Sequence, residues 1–159
     1  MLRDARPSDL NEIGAILNRE IESGTASWRH VPLDNEALAA WFATRQSAGL
    51  PIIAAGEPLV GYGSFGPFRA GEGYRGIAEH SVYVSAEARG AGIGRALLEA
   101  LMARARAAGL SHLVGGVSGD QPASLALHRS AGFAEAGRLP GIGQKAGRQL
   151  DLVLMLRAL

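Results

Sequence analysis

The first residues that can do chemistry lie between 82 and 98. Val82-Tyr83-Val84 is apolar and strand-like, Arg89 follows, and Gly90, Gly92 and Gly94 stand at alternate positions before a helical run that opens Arg95-Ala96-Leu97-Leu98. Alternate glycines strip the Cβ atoms from one side of a turn, so main-chain N–H groups can close on an anion where the following helix presents its positive end. Arg89 adds a mobile cation. The run Arg89, Gly90, Ala91, Gly92, Ile93, Gly94, Arg95 is therefore a candidate phosphate cradle. Two other phosphate sites are excluded by spacing. A P-loop closes with Gly-Lys-Ser/Thr, whereas this turn closes Gly94-Arg95-Ala96 and places no hydroxyl for magnesium. A dinucleotide turn needs Gly-x-Gly-x-x-Gly, and the third glycine is replaced by Arg95 or Leu97 according to the register.

A second group of reactive side chains precedes this turn. On an extended strand Glu79, Ser81 and Tyr83 share one side, and His80, Val82 and Val84 share the other. A carboxylate beside a bound acyl or phosphoryl donor can serve as a general base. Further on, Ser124 and His128 are four residues apart and share a helix face. His80, directed away from Glu79, reads as a buried, hydrogen-bonded core histidine. The four histidines lack metal-ligand spacing and there are no cysteines, so no metal site, thiol nucleophile or disulfide is expected.

The elements that must hold these groups follow from periodicity. Pro7-Ser8-Asp9 opens a helix with Leu10, Ile13, Ile16 and Leu17 at helical spacing, and a second helix starts near Asp34 and carries Leu38, Trp41 and Phe42. Residues 52–55, 59–65 and 77–84 read as strands, the first two joined as an antiparallel hairpin by Gly56-Glu57-Pro58. The helix after the glycine turn places Leu97, Leu98, Leu101, Met102 and Ala105 on one stripe and ends at Gly109. A strand over 113–117, a helix from Pro122 to Ala131, and strands over 133–138 and 149–157 complete the chain. The order implies an α/β fold, one domain over residues 1–159 with a mixed sheet. With 47% hydrophobic residues in 159, one core suffices, and a net charge of +1 with scattered basic residues gives no footprint for nucleic acid. No signal-like N-terminus and no run of about 18 apolar residues is present, so a soluble, cytoplasmic protein without a membrane partner is expected.

Five strings in order carry a resemblance: Glu79-His80-Ser81-Val82-Tyr83-Val84, Arg89 to Gly94, Ser124-Leu125-Ala126-Leu127-His128, Ala131-Gly132-Phe133, and Gly147-Arg148-Gln149-Leu150-Asp151. Together they resemble the GNAT acyltransferases, and within them the phosphinothricin and methionine sulfoximine N-acetyltransferase branch. The resemblance covers nearly the whole chain. It implies the GNAT fold, a mostly antiparallel mixed sheet with splayed central strands and flanking helices, and acetyl-CoA as cosubstrate without a metal. It assigns the base role to Glu79, which must take a proton because a free amine is largely protonated near pH 7. It also implies that a bulge frees the backbone of Val82, Tyr83 and Val84 to bond the thioester carbonyl and the pantetheine arm. Gln121 and Ser124 would line that arm, and His128 would protonate the departing thiolate. Relatives are often dimers, so a homodimer is expected.

The implied acceptor is a small amine resembling an amino acid. Its binding would draw on Trp28, Phe65, Tyr74 and Arg75 as aromatic walls and a cation. Three departures bear on it. Phe65-Gly66-Pro67-Phe68 stands where the branch has Phe/Trp-Arg-Pro-Phe, which leaves Arg69 or Arg75 to supply the cation. Gln121 replaces an asparagine, and Gln149 replaces the tryptophan of Gly-Arg-Trp. Two other readings stay open at this point: an acyl-CoA sensor without catalysis, and acetylation of a polyamine, aminoglycoside or protein N-terminus.

Overall fold

The computed structural model describes every residue from Met1 to Leu159. Asp34 caps the second helix through its side chain, which accepts from the Ala37 N–H at 2.8 Å, and Gly109 and Gly132 end the third and fourth helices with φ of 75° and 84°. The elements are β1 (Leu2–Asp4), α1 (Leu10–Ser23), α2 (Asn35–Ser47), β2 (Ile52–Ala55), β3 (Gly61–Pro67), β4 (Ile77–Val84), α3 (Ile93–Ala107), β5 (His112–Ser118), α4 (Pro122–Ser130), β6 (Ala134–Lys145) and β7 (Arg148–Ala158). One seven-stranded sheet runs β1-β2-β3-β4-β5-β7-β6, and only the β4–β5 pairing is parallel. No helix is long and apolar enough to cross a membrane.

Each face of the sheet has its own apolar cluster. α3 lays Leu97, Leu98, Leu101, Met102 and Ala105 on one face against Phe65, Ala78, Leu113, Val153 and Met155. α1 and α2 cover the β2–β4 part of the other face with Ile13, Ile16 and Phe42 against Ile52, Ala54 and Tyr62.

Three expectations need correction. β3 begins at Gly61, not Leu59, because Val60 closes the preceding turn through its N–H to the Ala55 carbonyl at 2.8 Å. β6 continues to Lys145 although Pro140 and Gly141 read as a stop. The ladder with β7 skips residues between Leu139 and Gly143, so the missing Pro140 N–H is not called upon, and the Asp151 carboxylate accepts from the Gly141 N–H at 2.9 Å. Finally, β4 has no bulge. Its register with β3 runs without a shift from Gly61↔Val84 to Pro67↔Ala78. The sheet opens by another route: β4 and β5 pair only from Ile77↔His112 to His80↔Gly115, and beyond that point they part.

Leu101 is fully buried between α3 and the sheet. Leu101→Ala should lower stability by about 2–5 kcal/mol, read as a fall in the urea midpoint with an unchanged slope.

Candidate active site

The parting of β4 from β5 decides which backbone groups are free. The Ser85 N–H donates to the Val60 carbonyl at 2.8 Å, which makes that pair hydrogen-bonded and fixes the alternation along the antiparallel β3–β4 ladder. Glu79, Ser81 and Tyr83 therefore bond β3, while Val82 and Val84 direct their N–H and C=O toward the place β5 has left. The Tyr83 peptide, expected to be free, is committed to β3. The Val84 carbonyl accepts from Arg89 Nε at 3.2 Å, and its N–H points into the gap.

This gap widens into a cleft of about 420 Å³ at the start of α3. Its lining contains Val82, Tyr83, Val84, Arg89, Gly90, Gly92, Ile93, Gly94, Arg95, Gln121 and Ser124, so among the expected cofactor-binding residues only Ala91 stands outside it. Gly92 is the N-cap of α3 with φ of 78°, a left-handed conformation that a side chain would strain. The first intrahelical bond is Ala96 N–H to the Gly92 carbonyl at 3.0 Å, which leaves the N–H groups of Ile93, Gly94 and Arg95 without a helical partner. Those donors, the helix dipole and Arg89 fit a diphosphate. In this state the Arg89 guanidinium is held by Glu20, and Arg95 pairs with Glu99 at 2.8 Å.

At its inner end the cleft narrows to a slot of about 60 Å³ that passes between the strands. Ala26, Val82, Tyr83, Gln121 and Ser124 border both, and Gly115, Gly116, Val117 and Ser118 form the far wall. Two histidines close the apex. His128 Nδ1 donates to the Ser124 carbonyl at 2.7 Å, which leaves Nε2 as an acceptor for the His80 Nε2–H at 3.0 Å. Both rings pack on Phe133. A Cβ on Gly115 would fall 2.8 Å from the His80 ring and 2.9 Å from His128 Nε2, so only glycine admits the pair. Burial and the neighbouring His128 push His80 down to about 3, and burial also lowers His128. Both rings are neutral at pH 7. In this arrangement His128 Nε2 faces His80, so the pair braces the apex of the slot.

Glu79 stands on the other side of the slot. Its carboxylate lies over Gly116, 3.2 Å from where a Cβ would sit, so the wall of the slot and the base candidate meet there. Desolvation raises the affinity of Glu79 for protons, and the charge of Arg69 opposes the rise.

The expected acceptor residues do not gather around this carboxylate. Phe65 is buried on the α3 face of the sheet, opposite Glu79, because its place in β3 alternates inward there. Tyr74 packs edge-on against Phe68, and Arg75 pairs with Glu72 at 3.1 Å; with Phe65, Gly66 and Arg69 they line a cavity of about 880 Å³. Trp28 lies on the β6 backbone, where a Gly143 Cβ would come within 2.5 Å of its ring. Lys145 reinforces that junction by donating to the carbonyls of Glu20 and Ser27.

Other residues occupy the Glu79 face. Trp41, Tyr62 and Tyr83 form a ladder of rings with centroids 6.1 and 5.5 Å apart, and burial keeps both tyrosines as neutral phenols. Only Arg29, Arg45, Arg69, Arg106 and Arg157 lack a carboxylate within ion-pair reach. Arg45 lies 4.8 Å over the Trp41 ring, and the charges of Arg29 and Arg69 reach titratable groups of this face, Tyr62 and Tyr83 for the first and Glu79 for the second. Of the two arginines expected to stand in for the one absent at Gly66, Arg75 is paired with Glu72, whereas Arg69 has no carboxylate partner and its guanidinium sits 5.3 Å over the Phe68 ring. Phe68-Arg69 is itself an aromatic–arginine dipeptide, a signal the sequence held three residues further on.

A glycine turn at a helix N-terminus, a slot through a parted sheet and a carboxylate beside its wall fit a transferase that moves an acyl group from a coenzyme thioester to a nucleophile. The chain belongs to the Acetyltransferase (GNAT) family, whose model matches residues 13–133. It is 48% identical over 158 residues to the L-methionine sulfoximine/L-methionine sulfone acetyltransferase of Pseudomonas aeruginosa, covering 97% of this chain and 91% of that protein. Among solved structures, a ribosomal-protein-alanine N-acetyltransferase from Brucella melitensis superposes with a TM-score of 0.97 at 43% identity, over 100% of this chain and 99% of that one. A phosphinothricin acetyltransferase from Sinorhizobium meliloti in complex with acetyl-CoA superposes with a TM-score of 0.96 at 38% identity, over 100% of this chain and 88% of that one. The protein is an N-acetyltransferase.

The histidine pair has a pH consequence. Its folded pKa values lie below the unfolded value near 6.5, so the unfolded chain binds more protons in the window between. The stability contributed is complete above about pH 6.5 and is lost as pH falls toward about 3. The urea midpoint should drop between pH 7 and pH 5, and drop less in His80→Asn.

Proposed function

We propose that the protein transfers the acetyl group of acetyl-CoA to the α-amine of an amino acid carrying further anionic or strongly polar oxygens, with Glu79 as general base. The observation that carries this reading is the set of three guanidiniums without carboxylate partners, Arg29, Arg45 and Arg69, around the Glu79 face. Positive charge in a partly desolvated site calls for an acceptor with negative or strongly accepting groups. A polyamine or aminoglycoside would bring further cations to the same place, so those acceptors are disfavoured. The names of the relatives, a methionine sulfone or sulfoximine acetyltransferase and a phosphinothricin acetyltransferase, fit the same acceptor chemistry.

Each part of the chain has a role in this reading. The open amides of Ile93, Gly94 and Arg95, with Arg89 released from Glu20, hold the diphosphate. The pantetheine arm follows the cleft past Ser124 and Gln121 into the slot. The thioester supplies an acyl carbon with a good leaving group. The N–H groups of Val82 and Val84 are placed to bond its carbonyl oxygen, where negative charge grows as the amine attacks. Glu79 takes the proton of the attacking nitrogen, and its raised proton affinity suits it to that work nearer neutral pH. The charge of Arg69 opposes the rise and favours the ionised carboxylate that a base must be. The coenzyme sulfur leaves into a cleft open to water, which supplies its proton.

Glu79→Gln should lower turnover of methionine sulfone by about 100-fold or more while leaving the acetyl-CoA dissociation constant unchanged. Unchanged turnover rules out the base. In the wild type, kcat/KM should fall as pH drops through a value above the ordinary glutamate pKa of about 4.3, the limb moving lower when Arg69's opposing charge is strengthened by low salt. Coenzyme binding without turnover of any amino acid would favour the sensor reading.

A further inference from the structure

Arg45 has so far counted only as one of three unpartnered cations, with no role of its own. It leaves α2 beside Trp41, and its guanidinium lies 4.8 Å over that ring. It forms no ion pair or hydrogen bond, and its Nε is buried without a partner. Burial lowers the proton affinity of the guanidinium, which stays charged all the same. A cation held in a fixed plane by an aromatic ring, half desolvated and with no acceptor, is an incomplete hydrogen-bonding arrangement.

Its place on the sheet shows what would complete it. A Cβ built on Gly66 would be in ordinary van der Waals contact with Arg45 Nη2 at 3.8 Å and Leu50 Cδ1 at 3.9 Å, so the guanidinium lies directly beside Gly66. Gly66 is the cross-strand partner of Glu79, and paired residues face the same way. The Glu79 carboxylate leans in the other direction, over Gly116 of β5. β3 and β5 are two strand spacings apart, roughly 10 Å. An α-carboxylate, three bonds from the amine, is too near the amine to bridge that span. An oxygen on a sulfur or phosphorus atom separated from Cα by two carbons stands five bonds from the amine in an extended chain. With a hydrogen bond of about 2.9 Å at each end it bridges the gap. Arg69, close enough to Glu79 to bear on its titration, suits the α-carboxylate.

We infer that Arg45 binds the oxygen-bearing end of the acceptor side chain and so sets the preference for oxidised sulfur or phosphorus over a thioether. This rests on Glu79 receiving the amine, as proposed above. Arg45 is a specificity residue, with no part in proton transfer.

The test compares methionine sulfone with methionine, which differ only at that end. Dissociation constants are measured by calorimetry on CoA-saturated protein, alongside acetyl-CoA kinetics. Arg45→Met should weaken methionine sulfone about tenfold or more, the loss expected for a hydrogen bond to a charged group, and change methionine less than about threefold. Arg45→Lys should keep part of the preference, and the KM for acetyl-CoA should not move. Equal losses for both compounds in Arg45→Met, or no loss for the sulfone, overturns the assignment. If the wild type shows Glu79-dependent turnover and yet fails this test, only the role of Arg45 is lost. If the wild type neither binds nor acetylates either amino acid, the proposed function fails and takes this inference with it.

Discussion

Everything in this molecule depends on the point where β4 and β5 stop pairing. As far as His80 and Gly115 the two strands form a parallel ladder; one residue later their backbones face a gap. The wedge at that point is the His80–His128 pair, seated over a residue that has to be glycine and packed on Phe133. Unpaired N–H and C=O groups in a sheet centre are costly unless something else bonds them. In the proposed reaction that something is an acyl coenzyme. The same separation supplies both the binding groups and the passage from one face of the sheet to the other.

The two faces are electrically distinct. On the cofactor side the charges are matched within the protein: Arg89 with Glu20, Arg95 with Glu99, and a helix N-terminus between them. Diphosphate binding there is an exchange of partners for Arg89. On the acceptor side Arg29, Arg45 and Arg69 have no partner to exchange, and the walls are the neutral rings of Trp41, Tyr62 and Tyr83. In the proposed reaction, coenzyme affinity would be a balance of competing ion pairs, and acceptor choice would follow from unfilled cationic positions. The junction between the α1–α2 connection and the β6–β7 hairpin, held by Lys145, Trp28 and the Thr25–Asp120–Ser118 hydrogen bonds, braces one side of the slot.

The cofactor half was legible in the sequence because it is local. A strand, an alternating-glycine turn and a helix lie within 17 consecutive residues, 82 to 98, and their geometry follows from glycine and the helix N-terminus alone. Glu79 could be placed by strand alternation, and α1, α2, α3 and α4 by apolar spacing and caps. The acceptor half was misread because it is assembled from distant elements. Phe65 looked like a wall, but the face it shares with α3 is set by sheet packing and not by its neighbours in sequence. Arg45 and Trp41, 25 or so residues before the motif, carry no signal beyond an amphipathic helix. Arg69 was named beside Arg75 as the substitute cation, but nothing in the sequence chose between them. The tautomer of His128, which decides what it can donate, is fixed by a carbonyl one helical turn away and a ring on another strand. Spacing shows that Ser124 and His128 are neighbours, and it is silent on His80 as the third member.

The central claim, that Val82 and Val84 keep free amides facing the gap while Tyr83 is spent on β3, can be read directly by amide hydrogen exchange resolved by NMR. In the free protein the Val82 and Val84 N–H groups should exchange rapidly and the Tyr83 N–H slowly. On saturation with acetyl-CoA, Val82 and Val84 should become protected while Tyr83 stays as it was. Protection of Val82 and Val84 already in the free protein, or no change at either on adding the coenzyme, contradicts the account.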